Sequence, residues 1–250
     1  MIKPIRLLLR LIKKDYHWFA YKYVKEEPCV VSCKIHGLDY DLDIKKTTQR
    51  QMFFDVKYEK YVLSRIMEVL KKDSAVIDIG AHVGFYTLLF AKHTFKSGHV
   101  ICFEPEYNNF IRLLHNLCKN QFNEYVKAYN LALSYKRGYQ SFYINPKNEG
   151  GGSLKLFNDY KPLDIIKVKC ERLDDILERD RFGKIDIIKI DVEGYELEVL
   201  KGMVNTLNKY KPNLFIETWT NEKRDEIRNF LLDYKYDNFE ILTPYDTHFS

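Results

Sequence analysis

Ala75-Val76-Ile77-Asp78-Ile79-Gly80-Ala81-His82-Val83-Gly84 is the stretch on which the reading of this chain turns. Ala75 to Ile79 form a short apolar run stopped by Gly80, the form of a strand buried on both faces. Residues 83 to 93 then take helical spacing. Between them stands a DxGxxxG loop made of Asp78, Gly80 and Gly84. A glycine at 80 permits a tight turn and close approach of backbone to a ligand, and Gly84 lets the helix start pack nearby. The dinucleotide fingerprint is GxGxxG, with no acid just before its first glycine, because that loop serves a pyrophosphate. Asp78 would repel a phosphate but suits an amine or a hydroxyl. On this motif alone, an ordinary strand-to-helix turn remains the alternative.

The alternation continues on both sides. Val100 to Phe103 is a second buried strand ended by Glu104-Pro105, and Phe110, Leu113, Leu114 and Leu117 mark a helix. Strands follow at 126–130, 185–190, 214–216 and 239–243, with helices at 173–179, through Leu197, Leu200, Val204 and Leu207, and near 222–234. Residues 139–170 break the rhythm with strand-like pieces around Gly150-Gly151-Gly152-Ser153. Upstream, Val62, Ile66, Val69 and Leu70 predict a helix over 56–72, and 29–55 reads as a hairpin region. Strands alternating with helices predict an α/β fold, a doubly wound and mostly parallel sheet covered on both faces. Residues 1–55 are then an N-terminal helix/hairpin extension, and 56–250 the main domain.

Composition narrows the function classes. The chain has 250 residues, enough for one such domain with additions. Its 40 basic and 35 acidic residues leave a net charge of +5 spread along the sequence. Nucleic-acid binders carry a concentrated basic stripe, and none is present here, so no nucleic-acid partner is expected. No run approaches the ~20 apolar residues of a membrane span. Residues 1–14, MIKPIRLLLRLIKK, are interrupted by Arg10 and followed by no small-residue cleavage site, which argues against a secretory signal. They read as a helix packed on the domain or on a partner; peripheral contact with an anionic inner membrane surface is the second reading. Five cysteines at 29, 33, 102, 118 and 170 in a chain of this size suit a reducing cytoplasm. Cys29 and Cys33 lack the second pair a zinc site needs, so no metal site is expected there.

In sheets of this kind ligands bind beyond the carboxyl ends of the strands. S-adenosylmethionine, with a cationic methionine end and no phosphate, suits Asp78 and the loop from Gly80 to Gly84. Glu104 can accept hydrogen bonds from a ribose diol; its alternative is an acid at a helix N-terminus. Leu131 and its neighbours would flank an adenine. Asp191-Val192-Glu193-Gly194 places two carboxylates and a glycine at a strand end, where they can orient or deprotonate an acceptor. Their alternative is N-capping of the helix from about 195. Glu217 adds a third acid, suited to sugar hydroxyls or, as the less favoured reading, Mg²⁺. His82 is either a base in the glycine loop or a solvent-facing histidine. Ser153 belongs to a glycine-rich loop able to close over an acceptor.

These motifs together resemble the FkbM-type methyltransferases. Val76 to Thr87 is similar to that family's first motif, Val100 to Pro105 to its second, and Asn130-Leu131-Ala132-Leu133-Ser134 to its third. Gly151-Gly152-Ser153-Leu154, Arg172-Leu173-Asp174-Asp175 and Ile188-Lys189-Ile190-Asp191-Val192-Glu193-Gly194-Tyr195-Glu196 follow in order. The resemblance covers roughly residues 55–220; His82 departs from it, since many members have Asn there. It implies a class I (Rossmann-like) methyltransferase fold, S-adenosylmethionine as donor, and O-methylation of a sugar or natural-product hydroxyl. On that basis Asp78, Ile79, Gly80, Ala81, Gly84, Tyr86, Glu104 and Leu131 are expected at the cofactor, Asp191, Glu193 and His82 at the chemistry, and Ser153 and Glu217 at the acceptor. The competing functions are a non-catalytic S-adenosylmethionine-binding module, an RNA methyltransferase and a nicotinamide-dependent oxidoreductase.

Overall fold

A computed structural model describes residues 29–55, 59–145, 152–157 and 161–250. The segment 1–14, Gly150 and Gly151 lie outside the described residues.

The chain opens on a hairpin, β1 (Val30–Ile35) and β2 (Leu38–Asp43), joined by His36 and Gly37 with φ of 50° and 75°. Two successive left-handed residues are what a tight two-residue hairpin turn demands. Helices α1 (Thr47–Phe54) and α2 (Lys60–Val69) follow. The main sheet is built from β3 (Ala75–Ile79), β4 (His99–Phe103), β5 (Val126–Tyr129), β10 (Ile187–Ile190), β11 (Asn213–Glu217), β12 (Phe239–Ile241) and β13 (Asp246–Phe249). Helices α3 (Phe85–Thr94), α4 (Tyr107–Lys119), α5 (Leu173–Asp180), α6 (Glu196–Lys201), α7 (Val204–Tyr210) and α8 (Asn221–Leu232) alternate with the strands. The order is β12-β13-β11-β10-β3-β4-β5; the five central and right-hand strands run parallel, and β13 runs antiparallel between β11 and β12. A second sheet, ordered β6-β9-β7-β8, comprises β6 (Ala132–Leu133), β7 (Gly138–Ile144), β8 (Gly152–Ser153) and β9 (Asp164–Glu171), and accounts for the broken rhythm of 139–170.

All five residues of β3 and all four of β10 are buried, as a strand covered on both faces requires. The chain runs outward from β3 to β4 and β5, then returns to lay β10 on the other side of β3. The strand order therefore reverses between β3 and β10, where open α/β sheets leave a crevice for ligands.

Three expectations need correcting. Residues 47–54 form a helix, not part of the hairpin; only Gln49, Met52 and Phe53 of it are buried, too sparse a stripe to read as helical. The helix drawn through Leu197 to Leu207 is two helices, broken at Gly202, where a Cβ would stand 2.5 Å from the Ser134 carbonyl oxygen. A last strand, β13, was absent from the sequence reading. The hairpin shares one core with α3 and α4 through Tyr40, Leu42, Leu88 and Leu113. Asn116 of α4 and Asn120, its C-cap, accept the backbone N–H groups of Asp41 and Asp39, so the hairpin is both packed and pinned there. None of the five cysteines is in a disulfide bond.

Candidate active site

A cleft opens at the carboxyl ends of β3, β4 and β10. Its floor is the loop from Asp78 to His82, its walls include Glu104, Leu131 and Asp191, and Thr48, Met52, Phe142 and Leu154 close over it from α1 and the second sheet. Ile79, Ala81 and Tyr86 also line it.

Glu104 ends β4 buried, 5% exposed. Its two carboxylate oxygens accept from the backbone N–H of His82 at 2.8 Å and of Glu106 at 2.9 Å. The N-cap of α4 is Glu106, which accepts from Asn108 and Asn109, and Glu104 stands two residues ahead of it, at the helix N-terminus and in the cleft lining. Burial pushes the Glu104 carboxyl up to about 8, against the two amides that favour its charged form. An acid held at such a cost beside a cleft, with lone pairs to spare, is suited to a diol.

Gly80 is a glycine for a reason the sequence did not show. With φ +85°, its absent Cβ would lie 1.8 Å from the carbonyl oxygen of Asp191. The close approach the structure shows is between the ends of β3 and β10. Gly84 adopts φ 95° as the N-cap of α3, and a Cβ there would meet Leu88 at 2.6 Å and Leu113 at 2.7 Å, so it is a packing glycine away from the cleft lining. Asp78 is 2% exposed and accepts the Thr87 hydroxyl at 2.5 Å; burial raises its carboxyl to about 6. His82 takes a left-handed φ of 50° and is half-buried, with its Nε2 buried and without a hydrogen-bond partner among the described residues. Burial, with Lys46 nearby, lowers the imidazole to about 4, so the ring is neutral.

The cation at the centre of the site is Lys189, on β10 in register with Asp78. It is 1% exposed, lies 3.4 Å from Asp191 and 3.9 Å from Asp246, and sits 5.3 Å from the centre of the Tyr86 ring. Burial opposes its charge, but Asp191, Asp246, Glu217 and Glu59 outweigh that and raise it above the ordinary lysine range. The Tyr86 hydroxyl donates to Glu59 at 2.7 Å, which ties α2 into the same network. Lys189, Glu59 and Asp246 were missed from sequence. The available signal was a lone charge inside Ile187-Ile188-Lys189-Ile190, since a lysine is almost never buried unpaired.

Asp191 and Glu193 do not cap the following helix; the N-cap of α6 is Tyr195, with no side-chain cap, and Glu196 accepts the Gly194 N–H at 2.8 Å. Both acids line the cleft. Burial, then Asp191, raises the Glu193 carboxyl to about 8 and that of Glu217 to about 10. Ser153 is buried, donates to the Val192 carbonyl at 3.5 Å and accepts from the Lys155 N–H, which fastens β8 to the Asp191–Gly194 loop. Among the described residues no three His, Cys, Asp or Glu side chains converge as a metal centre would require, and no helix is long and apolar enough to cross a membrane.

Residues 78–237 match the family model described as a methyltransferase FkbM domain. The chain belongs to that family. The FkbM domain here is 29% identical over 153 residues to the hexuronic acid methyltransferase AglP of Haloferax volcanii, an alignment covering 61% of this chain and 59% of AglP. It is 27% identical over 177 residues to methyltransferase sdnD of Sordaria araneosa, covering 60% and 68% of the two chains. Among solved structures, an FkbM methyltransferase from Methylobacillus flagellatus KT superposes with a TM-score of 0.56 at 18% identity, over 81% of this chain and 52% of that one. The Pyrococcus horikoshii protein PH0793 superposes with a TM-score of 0.51 over 99% of this chain and 82% of its own. These likenesses carry the fold, a class I Rossmann-like FkbM domain with a mostly parallel sheet.

Proposed function

We propose that this chain is an S-adenosylmethionine-dependent methyltransferase that O-methylates a hydroxyl of a sugar or small natural product. The observation that carries the reading is Glu104, a buried acid at the end of β4 that lines the cleft. His82 Nε2, buried and unpartnered in the same cleft, is a second polar group with work left to do. The residues fit the donor: Glu104 holds the ribose, the Asp78–His82 loop faces the methionine end, and Leu131 with Pro105 flanks the base. The donor supplies a methyl group already activated on a sulfonium.

The chain's own part is alignment, exclusion of water and removal of one proton. Met52, Phe142 and Leu154 cover the cleft and dry it. Asp191, at the strand end and 39% exposed, faces the acceptor and takes its proton as the new bond forms. Lys189 holds that carboxylate in place from behind. The named activities of AglP and sdnD support a sugar or small-molecule acceptor. The five cysteines support work in a reducing compartment.

Calorimetric titration with S-adenosylmethionine and, separately, NADH tests the donor. Binding of the first alone, followed by S-adenosylhomocysteine release with a glycoside acceptor, is the expected result. NADH binding would move the chain to the oxidoreductases. Donor binding without turnover on any acceptor would leave a binding module, and salt-dependent turnover on RNA would make it an RNA methyltransferase.

A further inference from the structure

Where β11 ends, the structure holds an aromatic stack that the sequence reading did not single out. The Phe157 and Trp219 rings lie 5.2 Å apart and 25° from parallel. The Lys155 ammonium stands 5.0 Å from the centre of the Phe157 ring. Phe157 is thus engaged by both neighbours, and the ring left open is that of Trp219, 38% exposed. The Trp219 Nε1–H donates to Glu217 at 3.1 Å, which fixes the plane of the indole. Gly194 makes the seat: at φ +88°, a Cβ there would lie 2.9 Å from the Phe157 ring. The stack therefore rests on the loop that carries Asp191 and Glu193, and Glu217 links it electrostatically to both acids.

An open indole face with carboxyl groups along its edge is the chemistry that holds a sugar. The C–H face of the ring packs on the indole, and the hydroxyls reach the acids. Charge selects among sugars. Asp191 and Glu193 line the cleft and Glu217 holds the indole edge; Lys189 is already held by Asp191 and Asp246, and Lys155 lies over Phe157. A carboxylate on the sugar would meet Asp191 with no cation among these residues left to pair it. Resting on the methyltransferase reading above, we infer that Trp219, seated on Phe157 and tied to Glu217, is the acceptor platform and takes an uncharged pyranose rather than a hexuronate.

The chain has two tryptophans, so Trp18→Phe leaves Trp219 as the sole indole. That full-length protein, loaded with S-adenosylhomocysteine, is titrated with methyl α-mannopyranoside and with methyl glucuronide while indole emission is followed. Turnover with S-adenosylmethionine is then measured for native, Trp219→Ala and Trp219→Phe proteins. The neutral glycoside is expected to shift the emission and to be methylated. Trp219→Ala is expected to raise its KM about tenfold, the equivalent of ~1.4 kcal/mol, with donor affinity unchanged; Trp219→Phe keeps a ring and stays within about threefold. Silent emission, a preference for the glucuronide, or an unchanged KM in Trp219→Ala overturns the inference while leaving the donor assignment intact. Loss of donor binding by the native protein overturns the methyltransferase reading and this inference with it.

Discussion

Replacing Glu104 with Gln separates a structural acid from a ribose-binding one. In the native protein both carboxylate oxygens accept backbone N–H groups, from His82 and Glu106. A glutamine keeps the shape but turns one acceptor into a donor, so one of those amides faces an N–H₂. Leaving a buried donor unsatisfied costs about 1–3 kcal/mol of stability. The donor loses a charge-assisted hydrogen bond as well, ~1.5–3 kcal/mol or roughly 10- to 150-fold in Kd. The pH dependence is the sharper signature. With the free carboxyl at about 8, ionised Glu104 is about 1% of the protein at pH 6, about 9% at pH 7 and half at pH 8. If the ribose is bound by the carboxylate, binding lowers the pKa of Glu104, releases a proton at pH 7, and tightens about 50-fold from pH 6 to pH 8. Calorimetry in two buffers of different ionisation enthalpy measures both the slope and the proton released. Asp78, near 6, Glu196, near 7, and Glu193, near 8, titrate in the same window, so Glu104's own share is the slope lost in the Gln variant. Equal slopes in the two proteins, or native affinity in Glu104→Gln at pH 8, would refute the assignment.

Asp191→Asn keeps the shape of the acceptor-facing acid and removes its basicity; kcat is expected to fall about 10²- to 10⁴-fold with donor Kd unchanged, and full turnover would remove Asp191 from the proton's path. Lys189→Met leaves Asp191, Asp246 and Glu59 around a buried apolar chain, a loss of about 3–5 kcal/mol. A urea midpoint matching the native protein's would show that the cation is dispensable. Gly80→Ala places a Cβ on the Asp191 carbonyl in a backbone conformation that L side chains rarely adopt; expected is a loss of more than about 3 kcal/mol, or no folded protein. A native melting temperature there would mean that the β3 and β10 ends are not in contact.

The strands that build the cleft were legible because burial on both faces leaves an unbroken apolar run, as in Ala75–Ile79 and Ile187–Ile190. The strand β13 was not, because its residues are chosen for partners far away in sequence. His248 stacks on Phe215 with ring centres 4.4 Å apart and bonds Asn213; Thr247 accepts from Arg224; Asp246 faces Lys189. Such a segment shows no period of its own. The same limit applied to the site. Strand-end acids could be named from sequence, but which of Glu104 and Glu106 caps α4 depends on the direction each side chain takes from the turn. Gly80 was recognised as a required glycine, while the group requiring it, the Asp191 carbonyl, became visible only when β10 was laid beside β3.

The arrangement around Lys189 bears on how the cleft favours reaction and not merely binding. Methyl transfer from a sulfonium to an oxygen dissipates positive charge, so a cleft ringed with bare carboxylates would hold the charged ground state better than the transition state and slow the step. The structure counters this in two ways. Lys189, buried among Asp191, Asp246, Glu217 and Glu59, offsets their field with a cation that those same acids keep charged. Burial raises the carboxyls of Glu193 and Glu217 to about 8 and about 10, so both carry protons at neutral pH and can donate to an acceptor's oxygens. On the proposed reading Asp191 is the acid that accepts the proton, with Lys189 paired to it and the cleft beside it. Lys189 and those two protons together cut the negative charge of a cluster that reads in sequence as excess acid.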